Sequence, residues 1–115
     1  MKKDDVVYLH HVLDAIHRID TYVQGISKEA FFQKELLQDG VIRQLEIIGE
    51  ASRNLSDEFR EDNPEIPWSQ IIGMRNRIVH AYFNVDLEIT WGIVTMDLPI
   101  LKEYLITLLE EKRGK

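Results

Sequence analysis

The sequence predicts an all-α fold, an up-and-down bundle of four to six helices with a kinked C-terminal helix. Three observations lead there. Apolar residues recur at spacings of three and four in nearly every segment, the period of a helix with one buried face. No segment alternates apolar and polar residues as a half-buried strand does. The gaps between periodic segments hold helix-ending and helix-capping residues: Gly25 with Ser27, Asp39-Gly40, Asn63-Pro64 with Pro67, and Asp86.

Length and composition narrow the class. A chain of 115 residues reads as one domain spanning 1–115, and folding buries roughly two-thirds of its unfolded surface, enough for a core without crosslinks. It has no cysteine, which excludes disulfides, thiolate nucleophiles and thiolate metal sites. No apolar run approaches the roughly 20 residues of a membrane span. The start, Met1-Lys2-Lys3-Asp4-Asp5, has no apolar core of a signal peptide. A cytoplasmic protein without membrane contact is expected. The net charge of −6 argues against broad coating of nucleic acid, which needs many cationic phosphate contacts. A local basic site remains compatible with it.

The first helix is expected from about Asp4 to Val23, with Val6, Leu9, Leu13, Ile16 and Val23 as its stripe and Val12 and Ile19 beside it. At about 100° per residue, Asp20 falls near the middle of that stripe. Acids are rarely buried unpaired, so Asp20 sits at an exposed end or meets a buried cation. His10, Asp14 and His17 share the opposite face; a solvated polar face outweighs a metal site there by roughly ten to one. Ser27 caps a second helix, Lys28 to Leu37, with Glu29 in its first turn and Phe31, Phe32, Leu36 and Leu37 inward. Asp39-Gly40 reads as a turn or sharp joint.

The next helix is the clearest. Val41, Leu45, Ile48, Ser52 and Leu55 form its inner face, and Gly49 and Ser52 are small enough to admit a neighbouring helix closely. Arg43, Glu46, Glu50 and Arg53 occupy the other side, read as a solvated face, although either Glu is placed to touch a functional arginine. Ser56 caps a further turn through Phe59. A fourth helix is expected from Trp68 to about Tyr82, and a last one from Leu87, capped by Asp86, to about Glu110. Leu87, Trp91, Val94, Leu98, Leu101, Leu105 and Leu108 form its stripe. Pro99 kinks it or restarts it after Asp97, and the polar tail beyond is expected to fray.

Chemistry concentrates in Met74-Arg75-Asn76-Arg77-Ile78-Val79-His80-Ala81-Tyr82-Phe83, inside a 20-residue stretch, Ile66 to Val85, without Asp or Glu. On a continuous fourth helix Arg75 points into the apolar face and Arg77 away from it. A cation on a buried face needs a partner or a task, and a buried Arg75–Asp20 pair and a functional arginine are about equally supported. His80 falls about 140° around the helix from Arg75. The two converge only if the helix ends near His80 or if two protomers share the site. His80 is also explained as a charged residue at a helix C-terminus, and Tyr82 as a core tyrosine with its hydroxyl at the edge.

The run Ile71 to Tyr82 resembles the signature of HepT-like toxins of the HEPN superfamily. Their motif is Arg, four to six residues, then His, often with Asn after the Arg. Arg75-Asn76 and His80 fit with a gap of four, and Tyr82 stands two places after His80 as in HepT-like members. Ile42 to Ala51, Ile66-Pro67-Trp68 and Ile93 to Leu101 with Asp97-Leu98-Pro99 also resemble the family, so the likeness covers essentially the whole chain. It implies a dimerising HEPN-like bundle and a metal-independent endoribonuclease site, without a cofactor, at the dimer cleft. His80 would be acid/base and Arg75 the phosphate binder, with Asn76 and Arg77 in support; Asp20 joins the supporting set on helix geometry alone, as the candidate partner of Arg75. RNA rather than DNA is the expected substrate. The resemblance also implies an MntA-like nucleotidyltransferase antitoxin that silences the toxin by transferring AMP onto Tyr82. The alternative from another class is a non-catalytic helical module that docks such a transferase.

Overall fold

The computed structural model describes residues 1–79 and 84–113. Among them the fold is all-α: α1 (Lys3–Val23), α2 (Lys28–Gln33), α3 (Glu35–Arg53), α4 (Asp57–Asp62), α5 (Trp68–Ile72), α6 (Met74–Ile78), α7 (Leu87–Gly92), a π-helical turn (Ile93–Asp97) and α8 (Leu98–Arg113). No described helix is long and apolar enough to cross a membrane. The long helices α1 and α3 make the most extensive pairing, and α8 packs against α1. Their inner faces form the core: Leu9, Val12, Ile16 and Ile19 with Val41, Leu45 and Ile48, closed by Leu98, Leu101 and Leu105.

The caps follow the sequence. The Ser27 hydroxyl accepts from Ala30 N at 3.1 Å, the Ser56 hydroxyl from Phe59 N at 3.1 Å, and Asp86 Oδ1 from Ile89 N at 3.0 Å. Each satisfies a backbone donor that the first helical turn leaves open. Gly49 serves as its size suggests. A Cβ there would lie 3.1 Å from the carbonyl oxygen of Ile71, so its hydrogen lets α5 lie directly on α3.

Several breaks fall elsewhere than expected. The second helix stops at Gln33, and the joint is Lys34, with φ −113° and ψ 90°. Asp39-Gly40 lies inside α3, with Gly40 facing the Tyr22 ring. The joint is stabilised at Phe31 O, which accepts from both Lys34 N and the Gln38 side chain; neither partner is legible as a turn signal. Leu36, expected inward, is 88% exposed because it lies in the first turn after this joint. The last helix does restart after Asp97, as one expectation had it, but behind a π turn that the sequence did not signal. Leu98 N donates to Ile93 O, five residues back, the π spacing. Pro99 then falls in the first turn of α8, directly after the π turn. Leu98, Leu101 and Leu105 are buried as the stripe expects, and only its last position differs: Leu109, one turn after Leu105, is buried while Leu108 is half-buried. The polar tail expected to fray is helical through Arg113.

Asp20 needs no buried cation. It is exposed at the edge of the α1 stripe and pairs with Lys102 of α8 at 2.9 Å. The acid that is buried is Asp5, 2% exposed. Its carboxylate accepts from Ser56 N and the Ser56 hydroxyl, both at 2.7 Å, and from Lys2 N at 3.1 Å. It ties the start of α1 to the start of α4.

Candidate functional site

The stretch expected as one fourth helix is two five-residue helices, α5 and α6, separated at Gly73. Gly73 N donates to Ser69 O, and Asn76 N to Gly73 O, both at 3.0 Å. The break resets the phase of α6. Its inward residues are Met74 and Ile78, which leaves Arg75, Asn76 and Arg77 all exposed. The expectation of a buried Arg75 fails for this reason, because an angle counted from Trp68 does not carry across a helix break. The Arg75–Asp20 pair fails with it, and Asp20 leaves the site.

Arg75 meets Glu46 of α3 instead, with Nε 3.4 Å from Oε2. Both side chains are substantially exposed, so the pair is worth at most about 1 kcal/mol and is screened by salt. The sequence placed Glu46 within reach of a functional arginine but favoured a solvated face. The structure shows the contact, because Gly49 draws α5, and α6 behind it, onto α3. Residues of both helices line a groove of about 230 Å³ that contains Arg43, Glu46, Glu50, Arg53 and Arg75. The two α3 arginines were visible as one helix face; their alignment with Arg75 was not.

Arg77 points to the other side of α6. It borders a second groove of about 230 Å³ with an apolar floor that includes Ile66, Ile71 and Leu101. Met74 lines both grooves, so α6 is a ridge between them. Glu65, Asp97 and Tyr104 stand on the rim beside Arg77. The Tyr104 hydroxyl donates to Glu65 at 2.7 Å. That bond raises the Tyr104 pKa and lowers that of Glu65. The absence of acids around the cluster is therefore a property of the sequence, not of the space around it.

Helix α6 ends at Ile78. Val79 is extended, with φ −102° and ψ 118°, and forms an antiparallel bridge with Val85. Asp86 N donates to Ile78 O at 2.7 Å. His80 and Tyr82, expected as catalytic and modified residues, lie outside the described residues. The end of α6 bears on them nonetheless: the 140° separation of Arg75 and His80 presumed a helix continuing past Ile78. Of the candidate residues, the structure places Arg75, Asn76 and Arg77 on one short ridge and removes Asp20. His10, Asp14 and His17 are exposed on α1, and among the described residues no three His, Cys, Asp or Glu side chains are grouped to hold a metal ion.

Comparison with known proteins places the sequence in a family. The family described as "Ribonuclease HepT-like" matches residues 12–108. This chain belongs to the HepT-like ribonuclease family. It is 42% identical over 102 residues to a "Probable ribonuclease HepT" of Thermococcus cleftensis, covering 89% of this chain and 93% of that one. A "Putative RNase" of Caldanaerobacter subterraneus is 38% identical over 106 residues, covering 92% and 95%. A "Gamma-glutamylcyclotransferase and putative RNase" of Methanocaldococcus jannaschii is 45% identical over 111 residues. That match takes in 96% of this chain, which spans half the length of the relative. No solved structure matches significantly.

Proposed function

We propose that this HepT-like chain is a metal-independent endoribonuclease in which Arg75 holds the scissile phosphate and His80 transfers protons. The observation that carries the reading is Arg75 itself. It is an exposed guanidinium on a five-residue helix, five positions before His80, and its ion-pair partner among the described residues is a solvent-facing carboxylate.

Cleavage of RNA by its own 2′-oxygen needs three things. A base takes the 2′-OH proton as that oxygen attacks phosphorus, an acid protonates the departing 5′-oxygen, and a cation stabilises the phosphorane. The products are a 2′,3′-cyclic phosphate and a free 5′-hydroxyl. An imidazole with an ordinary pKa near 6.5 serves either proton-transfer role at neutral pH. The Arg75 guanidinium offers a planar fork matched to phosphate, and stabilising the growing charge contributes roughly 3 kcal/mol if it resembles one oxyanion-hole donor. Asn76 orients the substrate or His80, and Arg77 contacts a neighbouring phosphate across the ridge. Single-stranded RNA fits best, because its backbone can take the in-line geometry. The chain acts as one domain, as a homodimer, and as the toxin of a pair whose antitoxin is a nucleotidyltransferase. AMP carried on Tyr82 would add negative charge beside the phosphate site and repel RNA.

The test is cleavage of single-stranded RNA in EDTA by protein made without any partner. Wild type cleaves, and Arg75→Ala and His80→Ala each lose on the order of 100-fold. Unchanged cleavage in His80→Ala sinks the mechanism. No cleavage by unmodified wild type favours the transferase-docking module. Intact mass after co-expression with the transferase should show AMP additions that disappear in Tyr82→Phe; additions that persist move the site. Light scattering should give a dimer at micromolar concentration, and a monomer removes the shared cleft.

A further inference from the structure

Three of the seven arginines in the chain line a single groove: Arg43 and Arg53 from α3 and Arg75 from α6. At about 100° per residue, Arg43, Glu46, Glu50 and Arg53 fall within about 80° of the α3 surface, and the arginines lie about 15 Å apart along its axis. Gly49, on the buried side of the same stretch, sets α5 against α3 and brings Arg75 to this channel from the facing element. Glu46 pairs with Arg75 at 3.4 Å and Glu50 with Arg53 at 3.8 Å. Arg43 is exposed and has no ion pair among the described residues.

The chemistry of the channel suits a polyanion with spaced charges. Arginine is the side chain that binds phosphate bidentately, and such charge-assisted bonds exceed neutral ones. The two acids that share the channel hold their arginines through solvent-exposed pairs, which are weak and screened by salt. A phosphodiester therefore displaces them readily. A single small anion would need one guanidinium; three, spread over about 15 Å of α3, match successive phosphates of one strand.

We propose that Arg43, Arg53 and Arg75 form a track for consecutive phosphates of single-stranded RNA, with Glu46 and Glu50 as resident counter-ions that the RNA displaces. This rests on the ribonuclease reading. It adds two binding residues on α3 and runs the bound strand along that helix before it crosses the α6 ridge towards Arg77. Glu46 becomes a built-in competitor: it occupies Arg75 until a phosphate arrives, which disfavours weakly charged ligands at the site.

The experiment measures binding of a fluorescent single-stranded 2′-O-methyl oligoribonucleotide, which lacks the attacking hydroxyl and stays intact, as salt is varied. Single strands give a slope of log K against log salt of about −0.7 per phosphate neutralised. Arg43→Ala and Arg53→Ala should each flatten the slope by about 0.7, and the double variant by about 1.4. Arg18→Ala, an exposed arginine on α1 outside the groove, should leave it unchanged. Glu46→Gln should tighten binding several-fold. Thermal melting confirms that each variant is folded. Wild type that binds and cleaves RNA while the α3 variants keep its slope overturns this inference alone. Wild type that neither binds nor cleaves RNA overturns the ribonuclease reading and this inference with it.

Discussion

Replacing Asp5 by alanine tests how the first helix is anchored to the rest of the bundle. The carboxylate is 2% exposed and accepts three hydrogen bonds, two of them from Ser56 at 2.7 Å. Burial acts to raise its pKa, but the bonds from the Ser56 backbone and hydroxyl and from Lys2 outweigh burial and hold it below the ordinary carboxylate value. Alanine leaves the Ser56 N–H and hydroxyl without this acceptor. An orphaned buried donor costs about 1–3 kcal/mol. The hydroxyl can turn to another acceptor and Lys2 N–H can reach water, so the expected loss is about 2–3 kcal/mol. For a domain of this size that lowers Tm by roughly 10 °C. Because the folded pKa is depressed, this contribution is fully present above the unfolded value near 3.9 and is lost as pH falls through the folded value. The gap between wild type and variant, read by thermal melting at several pH values, should be full at pH 7 and shrink below about pH 4. A variant melting within about 2 °C of wild type at pH 7, or a gap unchanged in acid, would refute the reasoning.

Two further outcomes follow from close contacts. Gly49→Val places branched atoms against the Ile71 and Ile72 carbonyls and should cost about 1–3 kcal/mol in urea unfolding. It should also reduce RNA cleavage more than stability alone explains, since it shifts α5 and α6; a variant as stable and active as wild type removes the argument for close approach. Glu65→Gln takes away the charged acceptor that raises the Tyr104 pKa, so Tyr104 should ionise at lower pH in a ring-carbon NMR titration. An unmoved midpoint means the pair does not persist in solution.

The sequence alone determined the helical class, the inner faces of α1 and α3, and the three side-chain caps at Ser27, Ser56 and Asp86. These depend on period and on local hydrogen-bonding chemistry, both written in neighbouring residues. It also singled out Arg75, Asn76, Arg77, His80 and Tyr82, through their likeness to a family motif. It located the close approach at Gly49, since a missing side chain on an inner face has few other uses. It misplaced whatever required an angle to be carried through an irregularity. The Gly73 break turned Arg75 from a buried face to an exposed one.

Only the tertiary structure decided what each charge meets. Asp20 and Lys102 are far apart in sequence, as are Asp5 and Ser56, and neither pairing has a local signature. The same holds at the candidate site. An acid-free segment acquired Glu46 on one side of α6 and Glu65 and Asp97 on the other, because helix packing brings in residues from elsewhere in the chain. Arg43 and Arg53 were visible as one face of one helix. Their alignment with Arg75 depends on the distance between two backbones, set where Gly49 meets Ile71.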